Sequence, residues 1–339
     1  MHSIRIVFSL ILVLLTVTPV LAKGDVNIYS ARQEVLIKPL LDQFTAKTGI
    51  KVNLVAGNAD ALLQRLQNEG LNSPADVLLT VDAGNLNRAK ELGLFQPVTS
   101  KALEAAVPAA YRDPSGHWFG LSMRARTIMY AKDRVKPEEL ATYQDLADSR
   151  WKGRVCVRSS SNVYNQSMVA AMIAGQGVAA SEAWARGLVA NFARPPQGGD
   201  RDQIKALAAG QCDVALANTY YLGGMMTSPQ EEDKQVASKV AIIWANQKER
   251  GVHVNVSGAG VTKHAKNKNN ALQLLEFLVS EEAQLWYAEV NQEYPVRPGT
   301  AMSATLASWG TFKADDLNLA RLGEYNPEAV RLMDRAGWR

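Results

Sequence analysis

The chain has 339 residues, and its 37 Lys and Arg against 33 Asp and Glu give a formal net charge of +4 at pH 7. This small positive balance argues against a nucleic-acid partner, because the basic residues are scattered rather than interleaved with aromatics. The length exceeds what one hydrophobic core usually supports, so we expect two lobes.

The first 22 residues have the pattern of a secretory signal peptide. Arg5 precedes a mostly apolar stretch over residues 6–20, and Val20-Leu21-Ala22 marks the expected cleavage point. The apolar stretch is short for a bilayer span, and no cysteine at the cut offers a lipid attachment. We therefore expect a soluble exported protein of net charge +3, since cleavage removes one basic residue, and a periplasmic location in a Gram-negative bacterium.

Short apolar strands alternate with helical patterns from the mature N-terminus onward, which is typical of α/β units. The first part of the chain predicts strands over 26–29, 52–55 and 76–81. It also predicts a helix over 33–47, which Pro39 delays and Gly49 ends, and a second helix that begins near Asn58 and ends at Gly70.

A long segment, 118–130, is predicted to be extended and to cross between the lobes. Beyond it the pattern predicts strands over 155–158 and 213–217, a helix after Tyr164, a helix over 181–191, a return path through 240–244 and 253–261, and a helix over 270–286. We assign 23–122 with about 249–306 to lobe I, and about 123–248 with 307–339 to lobe II. Open α/β sheets bind ligands at the ends of their strands, so the cleft between the lobes is the expected site.

Both cysteines, Cys156 and Cys212, lie on predicted strands of the second lobe. An oxidising compartment permits a disulfide between them, and neighbouring strands would bring them together. Two buried free thiols are the alternative. A metal site built on the pair is disfavoured because no histidine lies nearby.

The mature chain lacks a recognisable catalytic constellation. His117, His253 and His264 have neither metal-ligand nor triad spacing. The run Ser159-Ser160-Ser161 lacks the glycine-flanked elbow of a hydrolase, and Gly198-Gly199-Asp200 is not a phosphate loop. We therefore predict a binding protein and no enzyme.

Two adjacent tyrosines, Tyr220 and Tyr221, stand just after the predicted strand over 213–217, which is expected to run into a loop there. Successive side chains of a strand face opposite sides, so at least one of the two must face a cleft or solvent. Tyr29 and Tyr164 also fall at or just beyond the carboxyl ends of predicted strands, so all four can converge on one cleft. A packing role is the alternative for each of them.

Several phenol oxygens around one cation form a demanding site. Ionising one phenol of ordinary pKa near 10 costs roughly 4 kcal/mol at pH 7, and ionising three costs roughly 12 kcal/mol. Only a small, highly charged, hard cation offsets that sum, which favours iron(III) over calcium or magnesium. Arg124, on the crossing segment, would lower the pKa of nearby phenols by its charge; a salt bridge is its alternative role.

Four stretches together resemble the periplasmic ferric-ion-binding proteins of bacterial ABC transporters: Ile28-Tyr29-Ser30-Ala31-Arg32, Ser122-Met123-Arg124-Ala125-Arg126, Asn162-Val163-Tyr164-Asn165-Gln166-Ser167 and Asn218-Thr219-Tyr220-Tyr221. The resemblance spans essentially the whole mature chain. It implies an α/β, two-lobed periplasmic-binding-protein fold of type II with extended hinge strands between the lobes. It also implies that Tyr164, Tyr220 and Tyr221 bind iron(III), with Tyr29 as an additional candidate. A monomer would then deliver the metal to an inner-membrane ABC permease and its ATPase.

Two positions depart from the pattern of some relatives. Gln33 stands where those relatives carry a histidine ligand, and Met225 stands where they carry an arginine. With three ligating tyrosines, the resemblance implies a branch that completes iron coordination with a synergistic anion such as carbonate. Gln33 and Arg124 are the candidate anion contacts, and a helix-start residue facing water is the alternative for Gln33.

A binder of a small organic or phosphorus-containing anion is the alternative function. Arg124, Arg158 and the serine run 159–161 would then contact the anion, and the tyrosines would form packing walls. Because one fold serves many ligands, the fold class alone does not separate the two functions.

Overall fold

The structure is a computed structural model that describes residues 24–339, so the predicted signal peptide lies outside the described residues. In chain order the strands are β1 (Asp25–Ser30), β2 (Lys51–Ala56), β3 (Val77–Thr80), β4 (Phe119–Ala131), β5 (Val155–Cys156), β6 (Val214–Asn218), β7 (Val240–Ile243), β8 (Val254–Val261) and β9 (Tyr294–Pro295). The α-helices are α1 (Lys38–Thr48), α2 (Ala59–Glu69), α3 (Ala83–Glu91), α4 (Lys101–Ala106), α5 (Val163–Gln176), α6 (Val178–Ala190), α7 (Asp200–Ala208), α8 (Thr219–Met226), α9 (Glu231–Ser238), α10 (Lys268–Leu278), α11 (Glu281–Glu289), α12 (Ala304–Ser308) and α13 (Leu322–Arg335). Within the described range, no helix is long and apolar enough to cross a membrane.

The strand β4 organises the sheet. The strand order is β2-β1-β3-β8-β4-β6-β5, and β7 and β9 also pair with β4. Residues 119–125 of β4 pair with β8, whereas residues 126–130 pair with β6. We call β1, β2, β3, β8, β9 and the first half of β4 the first sheet region, and β5, β6, β7 and the second half of β4 the second sheet region. The prediction of an α/β fold with a long extended crossing segment is confirmed, while the limits of the two lobes stay predictions.

Local sequence signals explain where the first helices begin and end. The helix predicted over 33–47 begins only at Lys38, because a 3-10 turn occupies Glu34–Leu36 and Pro39 lies in the first helical turn. Gly49 follows the helix with a φ of 74°, a left-handed conformation that glycine adopts without strain. The side chain of Asn58 caps α2 by accepting a hydrogen bond from the amide of Asp60.

Two predictions for the second sheet region are wrong in detail. The strand expected over 155–158 extends only over Val155–Cys156, because the Arg158 carbonyl accepts hydrogen bonds from the side chains of Asn165 and Trp338 instead of from a neighbouring strand. The tandem tyrosines do not follow the strand in a loop. They occupy the first turn of α8, which begins directly after β6.

The C-terminal end of the chain packs beside the helix that carries Tyr164. Helix α13 contacts α3, α5 and α6. Trp338 is fully buried against Trp184 and Phe192, and its indole nitrogen lies 2.9 Å from the Arg158 carbonyl oxygen. The C-terminus therefore braces the loop between β5 and α5.

Cys156 and Cys212 form a disulfide, with Cα atoms 5.9 Å apart. Of the two possibilities left open by the sequence, a disulfide and two buried free thiols, the structure contains the disulfide. Cys156 ends β5, Cys212 shortly precedes β6, and the two strands pair in parallel. The bond fastens together the strands that lead to Tyr164 and to the tandem tyrosines.

Replacing both cysteines by alanine should lower the free energy of unfolding of the metal-free protein by about 2–4 kcal/mol. The reason is that a crosslink between residues separated by 56 positions removes entropy from the unfolded chain. Urea unfolding of wild type and of the double variant, without reductant, measures the loss. Wild type treated with a thiol reductant should match the double variant, and identical midpoints for all three samples would contradict the expectation.

Candidate metal centre

Three tyrosines reach one cleft from the first turns of two helices. Tyr164 is the second residue of α5, and Tyr220 and Tyr221 are the second and third residues of α8. The Asn162 side chain caps α5 by accepting a hydrogen bond from the Tyr164 amide at 3.2 Å. Helix N-termini carry partial positive charge, so both positions favour an ionised phenol over one placed elsewhere on the helices.

The three phenols are close together. The hydroxyl oxygens of Tyr164 and Tyr220 lie 3.3 Å apart, and the ring centroids of Tyr220 and Tyr221 lie 4.2 Å apart. All three line a cavity of about 150 Å³, whose other lining residues are Ala31, Arg32, Gln33, Leu36, Val81, Arg124, Ser257 and Glu293. The cleft therefore lies between residues of the first sheet region, with the loops that follow its strands, and the N-terminal turns of α5 and α8.

Burial and mutual proximity oppose ionisation of the phenols. Burial, and then the neighbouring Tyr164 and Tyr221, raise the pKa of Tyr220 well above its ordinary value. Burial raises the pKa of Tyr221 as well, with further contributions from Tyr164 and Asp200. Without a cation in the cleft, both phenols are therefore protonated at neutral pH, and a metal ion must displace their protons to bind.

Arg124 is a buried cation next to the cluster. Its side chain is only 2% exposed, and its guanidinium carbon lies 5.4 Å from the centroid of the Tyr164 ring. The charge of Arg124 lowers the pKa of Tyr220, against the effect of burial. Its Nη2 lacks a hydrogen-bond partner, since the nearest carboxylate oxygen, Oδ2 of Asp82, is 3.6 Å away. Arg124 thus forms an ion pair, which was its alternative role, and also lies beside the phenols with a donor that makes no hydrogen bond.

Gln33 lines the same cleft with an exposed side chain, directly before the 3-10 turn at Glu34–Leu36. The structure therefore brings this predicted anion contact to the cluster. Met225, at the position where some relatives carry an arginine, is fully buried with Leu222 and Cys156 in an apolar cluster. A charged side chain there would need a different local packing.

The structure does not bring Tyr29 to the cleft, so the suggestion that four tyrosines converge is wrong. The Tyr29 hydroxyl donates to the Glu69 carboxylate at 2.8 Å, and Arg65 lies over its ring at 4.6 Å. Burial, followed by the hydrogen bond to Glu69, raises the pKa of Tyr29 to about 12. The cause is the alternation of side chains along β1, which directs Tyr29 toward α2.

Arg126 connects the two segments that carry the tyrosines, a role that the sequence did not reveal. Its Nη2 donates to Oδ1 of Asn165 at 2.6 Å, and its Nη1 donates to Oδ1 of Asn218 at 3.1 Å. Asn165 follows Tyr164 directly, and Asn218 lies two residues before Tyr220. The guanidinium also pairs with Asp200 at 3.2 Å. Arg126 therefore fixes both tyrosine-bearing segments to β4.

Arg32 and Glu293 also line the cleft and were not predicted. Arg32 Nη2 lies 2.6 Å from Oε2 of Glu293, and Arg32 Nη1 donates to Ser257 Oγ at 2.6 Å. Both ionic side chains are 2% exposed. One sequence signal pointed to Arg32, its place in one of the four family-like stretches. The pairing itself could not be predicted from local patterns, because Glu293 lies 261 positions away.

Other candidate ligand groups are weaker. Within residues 24–339, no group of three or more His, Cys, Asp or Glu side chains is arranged to hold a metal ion. Ser159 and Ser161 share a hydrogen bond between their hydroxyls at 3.0 Å, and Arg158 pairs with Asp200 at 3.5 Å. Three of the residues expected to contact a small anion, Arg158, Ser159 and Ser161, thus already have polar partners within the protein.

Comparisons with known proteins agree on a family. The family described as bacterial extracellular solute-binding protein matches residues 40–314. Iron uptake protein A1 of Synechocystis sp. is 52% identical over 315 residues, which cover 93% of this chain and 88% of that protein. A solved structure from Trichodesmium, named IdiA and FutA and described as a complex with iron and citrate ligands, is 51% identical with a TM-score of 0.90, covering 93% of this chain and 100% of that one. The ferric binding protein from Campylobacter jejuni is 40% identical with a TM-score of 0.89, covering 93% and 100%.

Proposed function

This chain belongs to the bacterial extracellular solute-binding proteins, and among them to the periplasmic ferric-iron-binding proteins of ABC transporters, and from that premise we propose that Tyr164, Tyr220 and Tyr221 hold iron(III) as phenolates. The observation that carries the proposal is the convergence of these three phenols on one small cleft, with two hydroxyl oxygens 3.3 Å apart. Tyr29 is not part of the proposed ligand set, since its hydroxyl is bonded to Glu69.

Iron(III) supplies the charge that the cluster needs. As each Fe–O bond forms, the phenol O–H bond breaks and the proton passes to solvent. Three phenolates cost roughly 12 kcal/mol at their ordinary pKa values, and burial adds to this cost at Tyr220 and Tyr221. A hard trivalent cation offsets it, because its formal charge of +3 matches the three negative charges of the phenolates.

Three phenolates leave coordination positions of iron(III) unfilled, and we propose that a small anion such as carbonate occupies them. The unpartnered Nη2 of Arg124 and the amide of Gln33 are the proposed contacts. The N-terminus of α5 favours an anion at the same place. The cavity, at about 150 Å³, suits an anion of a few atoms.

The loaded protein is proposed to act as a carrier. Residues 1–22 would direct export and be removed, and the mature monomer would pass iron(III) to an inner-membrane ABC permease driven by its ATPase. The chain would catalyse no reaction, since its ligand leaves the cleft chemically unchanged apart from the exchange of protons and anion. The names of its relatives, which describe iron uptake and ferric-iron binding, support this role.

Purified mature protein mixed with iron(III) citrate should turn red or orange, because phenolate-to-iron charge transfer absorbs visible light. Phenylalanine at Tyr164, Tyr220 or Tyr221 should each weaken the band and lower iron affinity on the order of 100-fold or more, since loss of a ligand costs at least as much as loss of a supporting residue. Citrate competition and visible spectra measure both effects.

Tyr29→Phe is the matched control, because it removes the same hydroxyl from a buried tyrosine outside the cleft. It should lower the free energy of unfolding by about 1 kcal/mol without changing the band. Thermal unfolding of metal-free Tyr221→Phe should stay close to wild type. A colourless wild type without bound metal would overturn the iron proposal and favour the small-anion binder instead.

Iron affinity should rise with pH. Tyr220 and Tyr221 have raised pKa values in the metal-free protein, so the iron-bound form holds fewer protons than the metal-free form, and acid favours release. Adding iron(III) nitrilotriacetate to weakly buffered protein should release roughly three protons per iron after correction for the chelator. Tyr221→Phe should release about one proton fewer. An affinity that does not change between acidic and neutral pH would exclude phenolate ligation.

Bicarbonate should strengthen iron binding in wild type, and Arg124→Met should largely abolish that dependence. Arg124 offers a buried donor that makes no hydrogen bond, and hydrogen bonds to charged groups contribute roughly 1.5–3 kcal/mol, which corresponds to about 10-fold to 100-fold in affinity. Arg88→Met, which removes an exposed guanidinium paired with Asp60, is the control and should retain the bicarbonate effect. If Arg124→Met responded to bicarbonate as wild type does, the anion contact would lie elsewhere.

A further inference from the structure

Asp82 is a buried carboxylate that belongs to none of the predicted ligand sets. It follows β3 and precedes α3, where its Oδ1 caps the helix by accepting from the Gly84 amide at 2.7 Å. Its side chain is 0% exposed. A helix cap needs only one of the two carboxylate oxygens, and Asp82 has further partners on three other elements, α5, β8 and β4.

The two oxygens of Asp82 contact different elements, one the helix that carries Tyr164 and the other the strands that carry Arg124 and Asn255. Oδ1 also accepts a hydrogen bond from Ser167 Oγ at 2.7 Å, and Ser167 lies three residues after Tyr164 on the same face of α5. Oδ2 accepts from Asn255 Nδ2 at 2.9 Å and pairs with Arg124 Nη2 at 3.6 Å. Asn255 and Arg124 are register partners on β8 and β4. One carboxylate therefore joins the helix of Tyr164 to the strands that hold Arg124.

The close approach of Ser167 to Asp82 depends on a glycine. A Cβ at position 84 would lie 2.9 Å from Asp82 Oδ1 and 3.4 Å from Ser167 Oγ. The first distance is too short for an ordinary contact, so a larger residue would push the carboxylate away from α5. The lack of a side chain at Gly84 therefore permits the hydrogen bond between Ser167 and Asp82.

We propose that Asp82 is a positioning residue that sets the separation between the Tyr164 phenol and the Arg124 guanidinium, and that iron affinity depends on it although it touches neither the metal nor a ligand oxygen. This inference rests on the proposed function, because it concerns the same phenolate site. Asp82 holds α5 through Ser167, and it holds Arg124 through their opposite charges. Its loss lets both groups move relative to each other.

Asparagine at position 82 tests the proposal, because it has nearly the same shape but only one acceptor oxygen. The single oxygen can serve either Gly84 and Ser167 or Asn255 and Arg124, so one end of the connection between α5 and Arg124 is weakened. In the full mature protein, Asp82→Asn should lower iron affinity about 10-fold or more and shift the phenolate-to-iron band. Citrate competition, visible spectra and urea unfolding of the metal-free form provide the readouts.

Asp113→Asn is the matched control. Asp113 is also a buried carboxylate, paired with Lys90 at 2.6 Å, and it does not line the tyrosine cleft. It should lower stability while leaving the affinity and the band of the folded protein unchanged. If Asp82→Asn behaved in the same way, with wild-type affinity and band, Asp82 would have only a structural role and the proposal would be overturned.

Ser167→Ala supplies a second test that leaves the carboxylate in place. It should reduce affinity by a smaller factor and shift the band in the same direction, and it should add no further loss in the Asp82→Asn background. Wild-type behaviour of Ser167→Ala, or full additivity of the two losses, would overturn the proposal even if Asp82→Asn failed to fold. A wild type without any iron band would instead overturn the phenolate site itself, and this inference with it.

Discussion

Repulsion among the negative charges that three phenols in one cavity would carry when ionised is the constraint on which the site depends. Two of the phenol oxygens lie 3.3 Å apart, and burial, followed by the neighbouring Tyr164, raises the pKa values of both Tyr220 and Tyr221. Such a cluster stays protonated until a cation of high charge enters. The same constraint explains the surroundings: two helix N-termini support the phenols, and a buried arginine adds positive charge from the crossing strand.

Hydrogen bonds of neighbouring residues, rather than of the three clustered tyrosine hydroxyls, hold the tyrosine-bearing segments in place. Arg126 binds an asparagine beside Tyr164 and another close to Tyr220, so the two tyrosine-bearing segments share one anchor on β4. Asn162 caps α5, and the indole of Trp338 braces the preceding loop. The hydroxyls of Tyr164 and Tyr220 bond to each other rather than to these supporting residues.

The outline of the fold and the three clustered tyrosines were predictable from the sequence, because both depend on short-range patterns. Strand–helix alternation gives the α/β framework, and the carboxyl ends of strands lead to Tyr164 and Tyr220. The local prediction fails at Tyr29. Whether its side chain reaches the cleft depends on the face of β1 that it occupies, and the position of Tyr29 at the end of the predicted strand does not indicate that face. It also fails for Arg32 and Glu293, whose pairing joins residues 261 positions apart. The early end of β5 could not be predicted for a similar reason, since the Arg158 carbonyl bonds to the indole of Trp338, which lies 180 positions away.

The disulfide has a consequence for when the site is completed. Cys156 and Cys212 each lie eight residues before a clustered tyrosine, Tyr164 and Tyr220, so the crosslink ties the bases of the two segments that present the phenols. Thiols stay reduced in the cytoplasm and become oxidised after export. A newly made exported chain would therefore lack this tie while it is still inside the cell. The assembly of the site is thereby linked to the compartment in which the carrier meets its cargo.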